Sequence, residues 1–145
     1  MTILIEVALV LAALFTGAAG YISLVEHPAR LELEDGPLLR QWRPSYARAL
    51  PIQAGLAIGG GVAGLGAGYV LGDWRCVLGS VVLLANWPFT LLVIMPVNKR
   101  LKAIDAADLG ETRHLLKRWG RLHDGRSILG LTATLIFLWA SISSE

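Results

Sequence analysis

Four apolar runs alternate with charged stretches along the chain. The first extends from Ile3 to about Leu24 and holds one charged residue, Glu6. The second runs from about Leu50 to Leu71, the third from about Cys76 to Val97, and the fourth from about His123 to Ile142. A helix rises about 1.5 Å per residue, so ~20 apolar residues cross a hydrocarbon layer. Each run is therefore read as a transmembrane helix. Gly17-Ala18-Ala19-Gly20 has the look of a processing site, but no Lys or Arg precedes the first run, so a retained span is expected. The strictly apolar part of the fourth run is short, and one long helix from about Thr112 supplies the missing length.

The stretches between the runs set the order of the helices. Asp73-Trp74-Arg75 is a very short turn, which makes the second and third spans antiparallel neighbours. Residues 25–49 and 99–122 form two longer, partly helical connections. Pro37 and Pro44 punctuate the first, where Trp42 and Tyr46 suit an interfacial belt. The expected fold is all-α, an integral membrane four-helix bundle with a single domain over residues 1–145. In the second span Gly60, Gly64, Gly68 and Gly72 recur every four residues and share a face that admits a close helix neighbour.

Composition agrees with this class. Hydrophobic residues make up 54% of the 145 and charged residues 17%, too little charge to cover a soluble domain of this size. The formal net charge is +2. The excess cations lie beside the apolar runs, so topology explains them better than nucleic acid, which is not expected as a partner. The first connection carries Arg30, Arg40, Arg43 and Arg48. The second carries Lys99, Arg100, Lys102, Arg113, Lys117, Arg118 and Arg121, against Arg75 alone in the short turn. The positive-inside rule puts both long connections in the cytoplasm and both termini outside. The expected location is a bacterial inner membrane. Cys76 is the one cysteine, so there is neither an intrachain disulfide nor a cysteine metal cluster.

Candidate chemistry comes from polar residues on faces that should be buried. At about 100° per residue, Leu115, Trp119, His123, Arg126, Gly130 and Phe137 share one face of the fourth helix. Arg113, His114, Lys117, Arg121 and Asp124 share the other, which makes His114 a solvated residue. An Arg on the inward face of a span is costly and points to a polar site. On the first helix Thr16, Gly20, Ser23 and His27 form a matching stripe with Arg30 beyond, and Pro28 is expected to end or kink that helix at His27. On the third, Trp87, Leu91, Ile94 and Asn98 share a face, while mid-span Asn86 reads as packing glue. Gly59-Gly60-Gly61-Val62-Ala63-Gly64 matches G-x-G-x-x-G, but no strand precedes it and it lies inside a span, so it is a packing face rather than a dinucleotide fingerprint.

Glu26-His27-Pro28-Ala29-Arg30, Gln41-Trp42 through Tyr46, Met95-Pro96-Val97-Asn98, and a W-x3-H-x2-R pattern at Trp119, His123 and Arg126 occur in that order. Together they resemble the anthrone-oxygenase-like family of small membrane proteins, over nearly the whole chain. Many members have a longer asparagine–proline–asparagine signature, from which Met95-Pro96-Val97-Asn98 departs near its first asparagine. The resemblance implies a four-helix bundle and, for some members, oxidation of anthrones to anthraquinones with O₂ and no assigned cofactor.

The functional expectation is a membrane-embedded, oxidoreductase-like protein. A hydrophobic aromatic or quinone-like substrate reaches it from the bilayer between helices. His123 or His27 removes an acidic proton, and Arg126 stabilises the enolate. Asn98, Trp119 and Arg30 bind substrate on the cytoplasmic side. No cofactor is required on this reading. The alternative is a single copper or iron ion held by His27, His123 and Glu26. A non-catalytic subunit, assembling as a homo-oligomer through the glycine-rich second helix, is the competing expectation. A carrier ranks below both, because Glu6 is the one intramembrane acid and no internal repeat is evident.

Overall fold

The computed structural model describes residues 3–142; the first two and last three residues of the expected domain lie outside the described residues. The described chain is all-α and forms a four-helix bundle. Its helices run Ile3–Arg30, Asp35–Leu71, Trp74–Ala103 and Thr112–Ile142, and all four are long and apolar enough to cross a membrane. Each packs mainly on its two sequence neighbours, and the fourth closes the ring on the first. The fourth helix begins at Thr112, as its short apolar stretch requires.

The two long connections are mostly absorbed into helix, leaving only residues 31–34 and 104–111 outside. Pro28 does not end the first helix, which passes through a π-helical turn at Ile22–Glu26 and continues as His27–Arg30. A π turn carries one extra residue and re-aims the side chains beyond it. The second helix likewise runs through Pro44 and Pro51. The third contains a break at Ala85 and a π-helical turn at Thr90–Ile94. These irregularities overturn the expected face on that helix: Ile94 and Asn98 are buried, whereas Trp87 and Leu91 are exposed. Asn86 and Thr90 take the inward positions instead.

Arginines fasten the ends of the helices. Arg43 donates to the carbonyls of Leu101, Lys102 and Ile104 at the end of the third helix. Arg113 donates to the Leu31 and Leu33 carbonyls and pairs with Asp35 at 2.9 Å. Both satisfy carbonyls that a helix end leaves without partners. At the opposite end Gly72, with φ +66°, closes the second helix, and Asp73 caps the third by accepting from the Arg75 N–H at 2.9 Å.

The glycine stripe is consumed inside the bundle. A Cβ at Gly64 would overlap Ser80 Oγ and come within 2.6 Å of the Phe137 ring, and one at Gly60 would lie 2.7 Å from Leu83. Gly60, Gly64 and Gly68 are buried against the chain's own helices, so this face is not free for a second copy. Thr16–Thr134 and Ser23–Ser127 hydroxyl pairs, each 2.9 Å, clasp the first helix to the fourth.

Candidate active site

The inward stripes of the first, second and fourth helices converge near the end that carries the long connections. The fourth-helix wheel holds: Trp119, His123 and Arg126 are buried, and His114 is exposed. Trp119 is the hub. His123 stacks on it at 4.9 Å between ring centroids, His27 lies tilted at 5.1 Å, and the Arg30 guanidinium sits 5.9 Å from its ring. Trp42 and Tyr46 complete the aromatic wall, stacked on each other at 5.1 Å and edge-on to Trp119. Both are buried, so they are core residues of the site and not an interfacial belt.

Hydrogen bonding separates the two histidines. His27 Nε2 lies 3.0 Å from the Leu116 carbonyl. A carbonyl only accepts, so Nε2 carries the proton and the Nδ1 lone pair faces Arg30 Nη1 at 3.2 Å. Arg30 in turn donates to Glu26 at 2.5 Å, to Ser45 at 3.1 Å and to Gln41. Ser45 and Gln41 both donate to Glu26, so this cation and anion are mutually satisfied. His123 differs. Its Nε2 faces the Ala19 carbonyl at 3.3 Å, and its Nδ1 is buried without a partner among the described residues. By the same logic, Nδ1 carries a free lone pair.

Gly120 explains how His27 reaches the fourth helix. A Cβ there would lie 2.6 Å from the His27 ring atoms Cδ2 and Nε2. The glycine thus lets an imidazole pack against helix backbone, next to the Leu116 carbonyl it bonds.

Arg126 is 5% exposed, yet it makes no hydrogen bond or ion pair with any described residue. Among the described residues its one cation–π contact is with the face of Phe15, 5.6 Å away. Two cavities meet at this side chain. One, about 10 Å³, is lined by Arg30, Tyr46, Gln53, Trp119, His123 and Arg126 among others. The other is an open groove of about 260 Å³ between the second and third helices, with Arg126 and Leu50 on the shared wall.

The expected residues are therefore largely gathered, with two differences. Asn98 does not line either cavity; its amide donates to the Tyr46 hydroxyl at 2.8 Å and holds that ring from behind. Glu26 is engaged with Arg30, Gln41 and Ser45, and among the described residues no three His, Cys, Asp or Glu side chains are placed to hold a metal ion. The copper or iron set of His27, His123 and Glu26 is thus not brought together. Sequence reasoning missed Trp42, Tyr46 and Gln53 as site residues. Their signal was a helical stripe continuous with Ala57 and Gly60, hidden because Pro44 was read as punctuating a connection outside the second span.

The family model described as "Anthrone oxygenase" matches residues 42–136. That range takes in Tyr46, Asn98, Trp119, His123 and Arg126, and leaves out Glu26, His27 and Arg30. The anthrone oxygenase dmxR16 of Cryptosporiopsis sp. is 30% identical, across 87% of this chain and 78% of the relative. The anthrone oxygenase tpcL of Aspergillus fumigatus is 38% identical, across 43% of this chain and 41% of the relative. No solved structure matches the chain.

Proposed function

The chain belongs to the anthrone oxygenase family, and from that premise we propose that it is a membrane-embedded oxygenase acting on an aromatic, anthrone-like substrate. The observation that carries this reading is the buried, unpaired Arg126 lining the same cavity as a histidine whose Nδ1 is free. An uncompensated cation in a low-dielectric wall is costly to the resting protein. It is worth its cost where an anion forms during reaction.

In this scheme His123 Nδ1 takes a proton from the acidic ring CH₂, which lies across the central ring from the substrate carbonyl and is conjugated with it. Arg126 faces the enolate oxygen. The carbanion carbon gives electrons to O₂ and forms a C–O bond, and the resulting peroxide takes back a proton from His123. Loss of water leaves a new carbonyl. One CH₂ and one O₂ become one C=O and one H₂O, with no other oxidant or reductant required. His27 is a positioning residue on this reading, because Arg30 occupies its lone pair. Trp119 provides the stacking wall, Arg30 closes the chamber, and Asn98 acts through Tyr46.

The orientation we favour puts both long connections in the cytoplasm, since they hold nearly all the Lys and Arg outside the spans. We carry forward this orientation and not a bacterial inner membrane, because both relatives are fungal. A cysteine placed at Ala106, labelled by an impermeant reagent only after permeabilisation, is the expected result; labelling in sealed cells overturns it. The catalytic reading is tested by oxygen uptake with an anthrone in nanodiscs. Wild type should consume one O₂ per substrate, and His123→Asn should lose at least about a hundredfold in rate. Full activity in that variant overturns the assignment of His123.

A further inference from the structure

The chamber around His123, about 10 Å³, is far below the ~300 Å³ at which ordinary ligand pockets begin. The oxygenase reading therefore lacks a seat for the body of its substrate. The groove between the second and third helices, about 260 Å³, comes close to that lower bound, and it shares Arg126 and Leu50 with the chamber.

Its walls are apolar apart from three side chains. Leu50, Pro51, Ala54 and Ala57 form one side, and Trp87, Leu91 and Met95 the other. Asn86, Thr90 and Arg126 form the polar part. They are 2%, 7% and 5% exposed, and Asn86 Oδ1, Thr90 Oγ1 and Arg126 Nε all lack partners among the described residues. Buried polar atoms are rarely left unpaired, so three on one groove call for an explanation.

Thr90 is the most telling. The Thr16 and Thr134 hydroxyls each lie within bonding distance of the carbonyl four residues back, at 2.8 and 2.9 Å; one donates there, as threonines in apolar helices do, while the other donates across to it. Thr90 does neither. It begins the π-helical turn Thr90–Ile94, just after Pro88 and the break at Ala85. Irregular backbone at membrane depth persists where it lines a protein cavity, and π turns are frequent at functional sites. The groove spans residues 50–57 and 86–95, within the apolar lengths of both helices, and exposed Trp87 and Leu91 flank its mouth. It opens towards the level of the lipid chains.

We infer that this groove is the substrate seat, reached laterally from the bilayer, and that it takes a planar fused-ring aromatic bearing a phenolic hydroxyl and a ring carbonyl. Asn86 Oδ1 accepts from the phenol. Thr90 Oγ1 donates to the carbonyl. Arg126, which makes no hydrogen bond or ion pair with any described residue, stands where the leading edge of the ring meets the chamber. This inference rests on the oxygenase reading for the identity of its substrate, but the binding it describes is measurable without turnover.

The test is binding of a hydroxylated anthraquinone, as a non-turnover probe, to the full chain in nanodiscs, with empty nanodiscs as background. Three variants are compared with wild type: Ala54→Phe, which fills the groove; Asn86→Leu with Thr90→Val, which removes its polar atoms; and Leu65→Phe, on the lipid face of the same helix. Thermal unfolding checks that each is folded. We expect at least tenfold weaker binding in the first two and no change in the third. Unchanged affinity in folded Ala54→Phe and in the folded double variant, or no binding above background in wild type, overturns the groove. Groove-dependent binding by a wild type that consumes no O₂ with an anthrone sustains the seat and overturns the oxygenase reading instead.

Discussion

Replacing Arg126 with Met should make the protein more stable and nearly inactive. On insertion scales an Arg at the centre of a span costs ~2.5–3.5 kcal/mol. Against that, Arg126 has the Phe15 ring at 5.6 Å, worth ~0.5–2 kcal/mol, and no hydrogen bond or ion pair among the described residues. Methionine keeps an unbranched chain of similar reach, so little packing is lost. The difference is a gain of ~0.5–3 kcal/mol, read as a shift in SDS-induced unfolding in mixed micelles. Turnover runs the other way. Removing one preorganised group that stabilises a developing oxyanion costs ~10²–10³ in rate. Oxygen uptake measured on the same preparations gives the second number. A variant that is less stable than wild type would show that Arg126 is held by the fold. A variant that is more stable and fully active would show that its charge does nothing in the reaction. Either result refutes the argument.

Three further outcomes follow from particular contacts. Gly64→Leu should destabilise the monomeric fold by ~3 kcal/mol or more, because Ser80 and Phe137 occupy the space; wild-type stability by SDS titration, with loss only of self-association, would instead return the glycine stripe to an interface between copies. Gly120→Ala should push His27 off the Leu116 carbonyl and cut turnover by about tenfold with little change in unfolding, on the scale expected when a positioning contact is lost; unchanged kinetics would remove His27 from the site. Thr16→Val and Thr134→Val should each cost ~0.6 kcal/mol, and the double variant little more than either alone, since they break one shared interhelical bond; full additivity in a double-mutant cycle would show that the pair is not coupled.

Charge placement and apolar run length determined much of this protein at the level of sequence. Four runs of helix-spanning length allow few structures in a bilayer, because backbone polar groups there must be satisfied within each helix. The same physics made Arg126 conspicuous, since an inward-facing cation is expensive wherever the helix ends up. The 100° periodicity of the fourth helix was regular enough to separate buried His123 from exposed His114. It worked because that helix runs unbroken from Thr112 to Ile142.

Where helices are irregular, the tertiary structure decided. The break at Ala85 and the π turn at Thr90–Ile94 exchange Trp87 and Leu91 for Asn86 and Thr90 on the inward face. No fixed period predicts that, because a π turn is stabilised by neighbours that only the bundle supplies. Pro44, read as punctuating a connection, hid the continuity of Trp42 and Tyr46 with the second span: a proline's local preference against helix was overridden by burial of the face around it. Which histidine keeps a free lone pair was likewise invisible in sequence. It depends on Arg30, Leu116 and Ala19, residues brought to the two rings by packing alone. Sequence named the ionisable groups because burying charge is costly anywhere. Only the packed bundle could say which of them is left without a partner.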